Sequence, residues 1–308
     1  MNARILQEAA VRYFLEVVNT GSISDAASRL HVVPSAISRQ IGRLESELDV
    51  TLFERCSRGM VPSKAGAVLA AYARRSLLDA EQVSAEIEAL RRDAAFTIRI
   101  ACTEGFVADF LPQAMADFRR HEPRVQFELS VDSAAGVTQR VRQADADIGF
   151  TFSLGPSADI EAVYSMPSPV LAVVGSAHPL ASAERVSFRE LLAYPLAIPA
   201  ANSTLRKLID IYCSREGVAC KSVLMSETLE ALLRFTAASD AITFCGELVI
   251  RTRLAEGKLI ALPVPELNVS DRSIEVQTLA RRQIPPLMRG FLDLICDALP
   301  PLGALVQK

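Results

Sequence analysis

The chain has 308 residues, half of them hydrophobic, which is enough for two or three compact units with sizeable cores. Its formal net charge of −3 is unevenly distributed. Residues 1–75 hold ten Arg and Lys against seven Asp and Glu, whereas the remainder holds 23 against 29. This suits an N-terminal segment that contacts phosphate and a larger remainder that does not. No apolar run of about 18 residues and no signal-peptide layout is present, which argues against a membrane or exported protein and predicts a cytoplasmic one.

The first informative elements are two short helices joined by only His31, Val32 and Val33. Their apolar positions recur every three or four residues, as in helices with one buried face. These positions are Ile23, Ala26, Ala27 and Leu30, then Ile37, Ile41, Leu44 and Leu48. So short a connection makes the helices cross steeply, as in a helix-turn-helix. An ordinary helical hairpin fits the periodicity equally well.

The outward face of the second helix separates these alternatives. It carries Ser35, Ser38, Arg39, Gly42 and Arg43 and no carboxylate before Glu45. Hydroxyls and guanidinium groups without carboxylates suit the major groove of DNA, whereas a solvated hairpin gives no reason for the absence of acids. We therefore predict that this helix binds double-stranded DNA.

The segment Thr51–Ser63 is predicted to form a small hairpin, the wing. Leu52-Phe53 and Met60-Val61 flank a turn that contains Ser57-Arg58-Gly59. Arg55 and Arg58 at its tip can reach the phosphate backbone or the minor groove. Residues 1–62 are thus predicted to form a winged helix-turn-helix. The candidate DNA-contacting residues are Ser22, Pro34, Ser35, Ser38, Arg39, Arg43, Arg55 and Arg58.

A dense set of short motifs covers residues 13–66. They are Tyr13–Val18, Gly21-Ser22-Ile23, Ala26-Ala27 with Leu30, Ala36-Ile37-Ser38, Gln40-Ile41, Leu44-Glu45, Leu52–Arg55 and Ala65-Gly66. In these motifs the chain resembles the LysR-type transcriptional regulators. The resemblance implies a cytoplasmic homotetramer that binds promoter DNA, acts on RNA polymerase and senses a small molecule through its C-terminal domain, without a cofactor or a membrane partner.

The second helix departs from the family pattern at its start. Where the family usually has a capping Ser or Thr followed by Gln, this chain has Val33-Pro34. Proline is well tolerated at a first helical position, but Val33 cannot cap and Pro34 cannot make the base contact of a Gln. Base readout is therefore expected to depend on Ser35, Ser38 and Arg39.

An uninterrupted helix is predicted from Ser63, its cap, to Arg92. One stripe along it comprises Leu69, Tyr72, Ser76, Val83, Ile87 and Leu90. A helix of about 28 residues spans roughly 40 Å and has no core of its own to cover the stripe. The helix could be a long helix within one domain. We favour the linker helix that the resemblance implies, over residues 63–92. Such a linker pairs antiparallel with its copy in a second subunit.

Beyond Asp93, strands and helices alternate in the βαβ rhythm of a parallel sheet. Strands are predicted at Ile98–Cys102, Val125–Val131, Ile148–Phe152, Val170–Val174, Leu196–Ile198, Val223–Met225, Ile242–Phe244 and Ile274–Ala280. Helices are predicted at Leu111–Arg120, Ala134–Gln143, Thr204–Arg215, Thr228–Ala238 and Pro286–Leu299.

This order predicts two α/β lobes, with the chain crossing between them near Pro167 and near Val269. It matches the type 2 periplasmic-binding-protein fold that the resembling family uses. We expect an effector-binding domain over residues 93–308, with lobe I at 93–166 and 270–308 and lobe II at 167–269.

Ligands in open α/β sheets bind beyond the carboxyl ends of the strands. This rule selects ten candidate effector-binding residues: Thr103, Glu104, Asp132, Ser133, Phe152, Asn202, Ser203, Thr204, Glu227 and Thr228. The hydroxyl residues among them stand at expected helix starts and could equally be caps. Their convergence favours an anionic ligand, since helix N-termini attract anions.

The acidic residues oppose a doubly charged anion. Glu104, Asp132 and Glu227 would repel it unless they are protonated or point away, which leaves open an effector with hydroxyl or amino donors. Arg206 could anchor a carboxylate or lie on the surface. The stretch Ser239–Gly246 lacks the Gly-x-Gly opening and the final Pro of the family, so effector identity cannot be transferred from it.

Other classes of protein find less support. Cys213 and Cys220 could form a thiol switch, but Thr204 stands where peroxide-sensing relatives place the reactive cysteine, and neither thiol has a strongly basic neighbourhood. The three histidines are scattered, and no hydrolase, phosphate-loop or metal motif occurs, so neither an enzyme nor a metal site is expected. A solute-binding protein would share the lobes but not the helix-turn-helix.

Overall fold

The computed structural model describes residues 9–56, 59–89, 95–108, 110–268 and 272–299. The chain divides into two compact units, the first consisting mainly of residues 1–90 and the second of most of the remainder. Among the described helices, none is both long and apolar enough to cross a membrane. Each unit is considered by itself.

The first unit contains the predicted helix-turn-helix. Its elements are α1 (Ala9–Thr20), α2 (Ile23–Leu30), α3 (Pro34–Leu48), β1 (Phe53–Cys56), β2 (Gly59–Pro62) and α4 (Lys64–Ala89). Ala26 and Ala27 are fully buried, and their small side chains let α2 pack closely against α1 and α3. His31 ends α2 in the left-handed conformation, with a φ of 54° that turns the chain toward α3.

The two helix starts differ as expected. Ser22 caps α2 by accepting a hydrogen bond from the Asp25 backbone N–H at 3.3 Å. At the start of α3, Val33 makes no side-chain cap and Pro34 occupies the first turn. Pro34 has no N–H and the Ala36 N–H donates to the Val33 carbonyl at 2.9 Å, so the Ser35 N–H is the group in this first turn without an acceptor among the described residues.

The hairpin is also confirmed, and it is tied to α3. Its strands pair antiparallel, with Arg55 opposite Met60 and Cys56 opposite Gly59. The Glu45 carboxylate accepts hydrogen bonds from the backbone N–H groups of Leu52, at 2.7 Å, and Phe53. Glu45 thereby fixes the position of the wing relative to α3.

The long helix α4 requires a correction of the predicted stripe. Leu69 is buried in the core of the first unit, alongside Ala70 and Ala73, and Tyr72 packs against that core. This half of the stripe is therefore covered within the chain. Val83 and Ile87, in contrast, are 54% and 62% exposed, while Leu90 lies outside the described residues.

Gly66 permits the close approach of α4 to the start of the wing. A Cβ atom at this position would overlap the Leu52 carbonyl oxygen and lie 3.3 Å from the Pro62 Cβ. Since the obstacle is backbone, Gly66→Ala is expected to lower the free energy of unfolding by about 1–3 kcal/mol. Gly42→Ala is the control in thermal denaturation: nothing lies within 4 Å, and alanine should stabilise the helix. Equal melting temperatures for the two variants would contradict this prediction.

The described part of the second unit contains three sheets. The largest has the strand order β4-β3-β5-β12-β6, formed by β3 (Phe96–Cys102), β4 (Val125–Val131), β5 (Ile148–Ser153), β6 (Ile160–Pro167) and β12 (Ser273–Leu279). Helices α5 (Phe110–His121), α6 (Ala134–Gln143) and α11 (Pro286–Ala298) cover it. Alternate residues of β3 face opposite cores: Ile98 and Ile100 pack with Phe118 and Phe291, and Ala101 packs with Val137.

The other two sheets are formed by β7 (Val170–Gly175), β8 (Leu196–Pro199), β9 (Ser222–Ser226), β10 (Thr243–Gly246) and β11 (Leu259–Pro263). One has three strands in the order β10-β7-β11, and the other consists of β8 and β9. The helices of this part of the chain are α7 (Phe188–Leu191), α8 (Thr204–Glu216), α9 (Leu229–Ala237) and α10 (Glu247–Leu254). All six residues of β7 are buried, because both faces of the strand are covered.

The chain leaves the larger sheet between Pro167 and Val170 and returns to it between Pro263 and Ser273. The second predicted crossing point, Val269, lies outside the described residues. The purely parallel rhythm was an incomplete prediction, because β12 runs antiparallel to β5 and β6, and β7 runs antiparallel to β10 and β11. The larger sheet is therefore mixed, the three-stranded sheet is antiparallel, and β8 and β9 run parallel.

Candidate functional site

The outward face of α3 is open to solvent. Ser35, Ser38, Arg39 and Gly42 are all exposed. Arg39 makes no hydrogen bond or ion pair within the described part of the chain, so its guanidinium group is available to a ligand. Arg43 differs, since its Nε donates to the Glu47 carboxylate at 2.8 Å.

The other candidate DNA contacts are less directly placed. Ser22 serves as the cap of α2, and Pro34 is exposed at the start of α3. Arg55 lies in β1, directly before Cys56, the last residue of that strand. Arg58 lies outside the described residues.

A cavity of about 500 Å³ in the second unit brings all ten candidate effector-binding residues together. Thr103, Glu104, Asp132, Ser133 and Phe152 reach it from the larger sheet, where they follow β3 and β4 or end β5. Asn202, Ser203, Thr204, Glu227 and Thr228 reach it from the other lobe, where they follow β8 and β9. The size of the cavity suits a small organic molecule.

Some of the hydroxyl side chains at the cavity cap helices and others do not. Ser133 accepts from the Gly136 N–H at 3.1 Å, and Ser203 accepts from the Arg206 N–H at 3.0 Å, so both are helix caps. The Thr103 hydroxyl is buried and has no partner within the described residues, and it makes no cap. Thr228 makes no side-chain cap either, and its hydroxyl lies 3.2 Å from that of Ser226. Helix capping therefore does not explain Thr103.

Two of the three acids are already engaged. Glu104 accepts a hydrogen bond from the Leu229 N–H at 2.8 Å, which joins the turn after β3 to the start of α9. Asp132 accepts from the Ser133 N–H at 2.7 Å and pairs with Arg140 at 3.2 Å. Glu227 is exposed. The negative charge of Asp132 is thus compensated before a ligand enters, and the expected repulsion is reduced.

Arg206, considered above as a carboxylate anchor, is not among the described residues that line the cavity. Its Nε donates to Asp210 at 2.8 Å, one turn along α8. Its place as the basic group of the pocket is taken by Arg272, which the sequence analysis missed.

Arg272 directly precedes β12 and is only 5% exposed. Its Nη1 donates to the Ser168 carbonyl at 3.1 Å and to the Ser168 hydroxyl at 2.8 Å, and its guanidinium carbon lies 4.0 Å from the centre of the Phe152 ring. Because β12 runs antiparallel to β5, its amino end lies at the carboxyl edge of that neighbour. The rule that ligands bind beyond the carboxyl ends of strands overlooks Arg272, because this residue precedes the amino end of β12. The sequence did show an arginine directly before an apolar strand, which could have identified it.

Cys213 and Cys220 interact, but not as reactive thiols. Both are unoxidised, and their side chains share a hydrogen bond. Burial raises the pKa of Cys213 to about 11 and also raises the pKa of Cys220. Neutral thiols are weak nucleophiles, so this environment does not favour a redox switch.

These features define a winged helix-turn-helix unit joined to a two-lobed α/β unit that contains a cavity. Family models agree. The model described as "Bacterial regulatory helix-turn-helix protein, lysR family" matches residues 9–67. The model described as "LysR substrate binding domain" matches residues 91–300. The chain belongs to the LysR family of transcriptional regulators.

Relatives match along most of their length. An uncharacterized HTH-type transcriptional regulator of Mycobacterium bovis is 27% identical over 302 residues, covering 95% of this chain and 91% of the relative. A full-length OxyR variant from Pseudomonas aeruginosa has a similar fold, with a TM-score of 0.62, 17% identity, and coverage of 97% of this chain and 95% of that one. Full-length CbnR complexed with target DNA gives a TM-score of 0.52 at 21% identity, covering 97% and 99%.

Proposed function

We propose that this LysR-type regulator binds promoter DNA as a homo-oligomer and responds to a small-molecule effector held between its two lobes. The observation that carries the proposal is the cavity, to which both lobes contribute side chains, including the unpartnered Thr103 hydroxyl. We assign residues 1–62 to DNA binding, 63–92 to the linker helix and 93–308 to effector binding.

DNA recognition is proposed to occur through the exposed face of α3. Ser35, Ser38 and Arg39 would read base edges, while Arg43 and the wing residues Arg55 and Arg58 would contact phosphates. Ser22 and Pro34, at the starts of α2 and α3, would lie beside the phosphate backbone of the DNA, because helix N-termini favour anions. The related fold of CbnR, solved with its target DNA, supports this arrangement.

Self-association would be provided in part by the exposed portion of α4. Val83 and Ile87 present apolar surface that a second α4 helix can cover, and two-fold pairing would place two DNA-binding units on two half-sites. We propose a homotetramer that acts on RNA polymerase in the cytoplasm.

The response is proposed to be a change in how the lobes are arranged, without chemical alteration of the effector. A ligand shifts such an equilibrium only by its difference in affinity for the two arrangements, typically about 1–3 kcal/mol. The Glu104–Leu229 hydrogen bond spans the lobes and is one contact that such a change would alter.

The Thr103 hydroxyl provides a direct test. Thr103→Val keeps the shape but removes the hydroxyl, and should weaken the response about tenfold in effector concentration while leaving DNA affinity unchanged. The measurement is transcription from the upstream region in cells grown on a panel of carbon sources. Thr97→Val, an exposed position in the same strand, is the control. A wild-type response from the Thr103 variant would contradict the assignment of the pocket.

A further inference from the structure

Arg272 holds a positive charge that is almost fully buried. It forms no ion pair with any described residue, and its Nε is buried without a hydrogen-bond partner. Two of the three acids that line the cavity are engaged elsewhere, Glu104 with the start of α9 and Asp132 with Arg140, and the third, Glu227, is exposed. An uncompensated buried charge destabilises a folded protein, so its presence in a pocket calls for a compensating ligand.

Arg272 and the neighbouring Cys245 keep their usual protonation at neutral pH. Burial lowers the pKa of Arg272 to about 10, which still leaves the guanidinium group protonated. The neighbouring Cys245 thiol cannot serve as its counter-ion, because burial raises the Cys245 pKa to about 12.

The contacts of Arg272 leave one edge of its guanidinium group for a ligand. Nη1 is committed to Ser168, and the Phe152 ring covers one face. The Nε and Nη2 N–H groups make no hydrogen bond with any described residue, although Nε is itself buried, and two such parallel N–H groups match the two oxygens of a carboxylate. Gly246 lies beside this group, since a Cβ atom there would be 3.8 Å from Nη2, an ordinary contact distance.

The rest of the cavity restricts the ligand further. Leu205, Leu232 and Val249 contribute apolar surface to its walls. The carboxylates of Glu104 and Glu227 disfavour a second negative charge on the ligand. These features together suit one carboxylate on an apolar body.

We propose that the pocket binds a small organic monocarboxylate whose carboxylate pairs side-on with the Nε–Nη2 edge of Arg272. This inference rests on the proposed effector-binding function and adds the chemical class of the effector. It also assigns the charge recognition to a residue at the junction of the lobes. The Ser168 N–H donates to the Arg272 carbonyl at 2.9 Å, so Arg272 and Ser168 connect the two crossings of the chain.

The test compares acids with their uncharged counterparts on the full-length protein. Hexanoate, benzoate and phenylacetate, each beside its primary amide, are titrated by calorimetry against wild type, Arg272→Gln and Arg272→Lys. At least one acid should bind wild type about tenfold more tightly than its amide. Arg272→Gln should remove this preference, and Arg272→Lys, which keeps the charge but not the paired edge, should retain only part of it.

The comparison of acid and amide on wild type needs no variant, so it remains decisive if Arg272→Gln does not fold. Amides that bind as tightly as their acids, or acid binding that Arg272→Gln leaves unchanged, would overturn the inference while leaving the proposed function intact. If no compound of either series bound, and Thr103→Val also responded like wild type in transcription, the inference and the proposed function would both fail.

Discussion

Replacing Val83 and Ile87 together by aspartate is expected to separate the subunits that α4 joins. These residues are 54% and 62% exposed within the chain and lie four residues apart on one face of α4. If a second α4 covers them, the substitution buries unpaired charges in the contact, which costs several kcal/mol. Light scattering should then show a mass lower than that of wild type, and binding to DNA with two half-sites should weaken.

A charge-matched control separates the position of the charges from their number. Leu77→Asp with Ser84→Asp adds the same charge at exposed positions of α4, roughly 90° around the helix from Val83 and Ile87. This control should keep the wild-type mass. A Val83→Asp, Ile87→Asp protein that also kept the wild-type mass would show that this face is not the interface.

Arg39→Ala is expected to produce the largest loss of DNA affinity among single substitutions on α3. Arg39 is exposed and has no partner within the described residues, so no internal contact must be broken before it reaches a base. An arginine that donates two hydrogen bonds to guanine contributes about 1–3 kcal/mol of discrimination. Fluorescence anisotropy should show that loss on the natural site, together with a weaker preference at one base position.

Arg29→Ala is the matched control for the loss of one positive charge. Arg29 belongs to the same unit, its side chain is 66% exposed, and it pairs with Glu16 at 3.2 Å rather than lying on the outward face of α3. Equal losses for the two variants would show that Arg39 acts only through general electrostatic attraction.

Much of the fold could be predicted because the relevant signals are local. The spacing of Ile37, Ile41 and Leu44 identifies the buried face of α3, and that face is confirmed. The strands at Ile98–Cys102 and Val125–Val131 carry runs of β-branched and apolar residues, and both lie within observed strands. The ten pocket residues came from one topological rule about where strands end, and all ten line the cavity.

What was missed depends on contacts between distant parts of the chain. The strand Ile160–Pro167 alternates weakly, and its place at the edge of the larger sheet is set by pairing with β12. Arg272 reaches the pocket only because β12 is antiparallel to β5. The periodicity of α4 did not reveal that Leu69 is covered by the core of its own unit, whereas Ile87 is not.

The most direct test of the account is the binding of full-length protein to the duplex upstream of its own coding sequence, across a series of salt concentrations. We expect saturable binding to this DNA that is tighter than to a scrambled duplex of equal length, with log K falling linearly as log salt rises, because arginines displace counterions from the phosphates. Equal and weak affinity for both duplexes at every salt concentration would contradict the proposed regulation at this site.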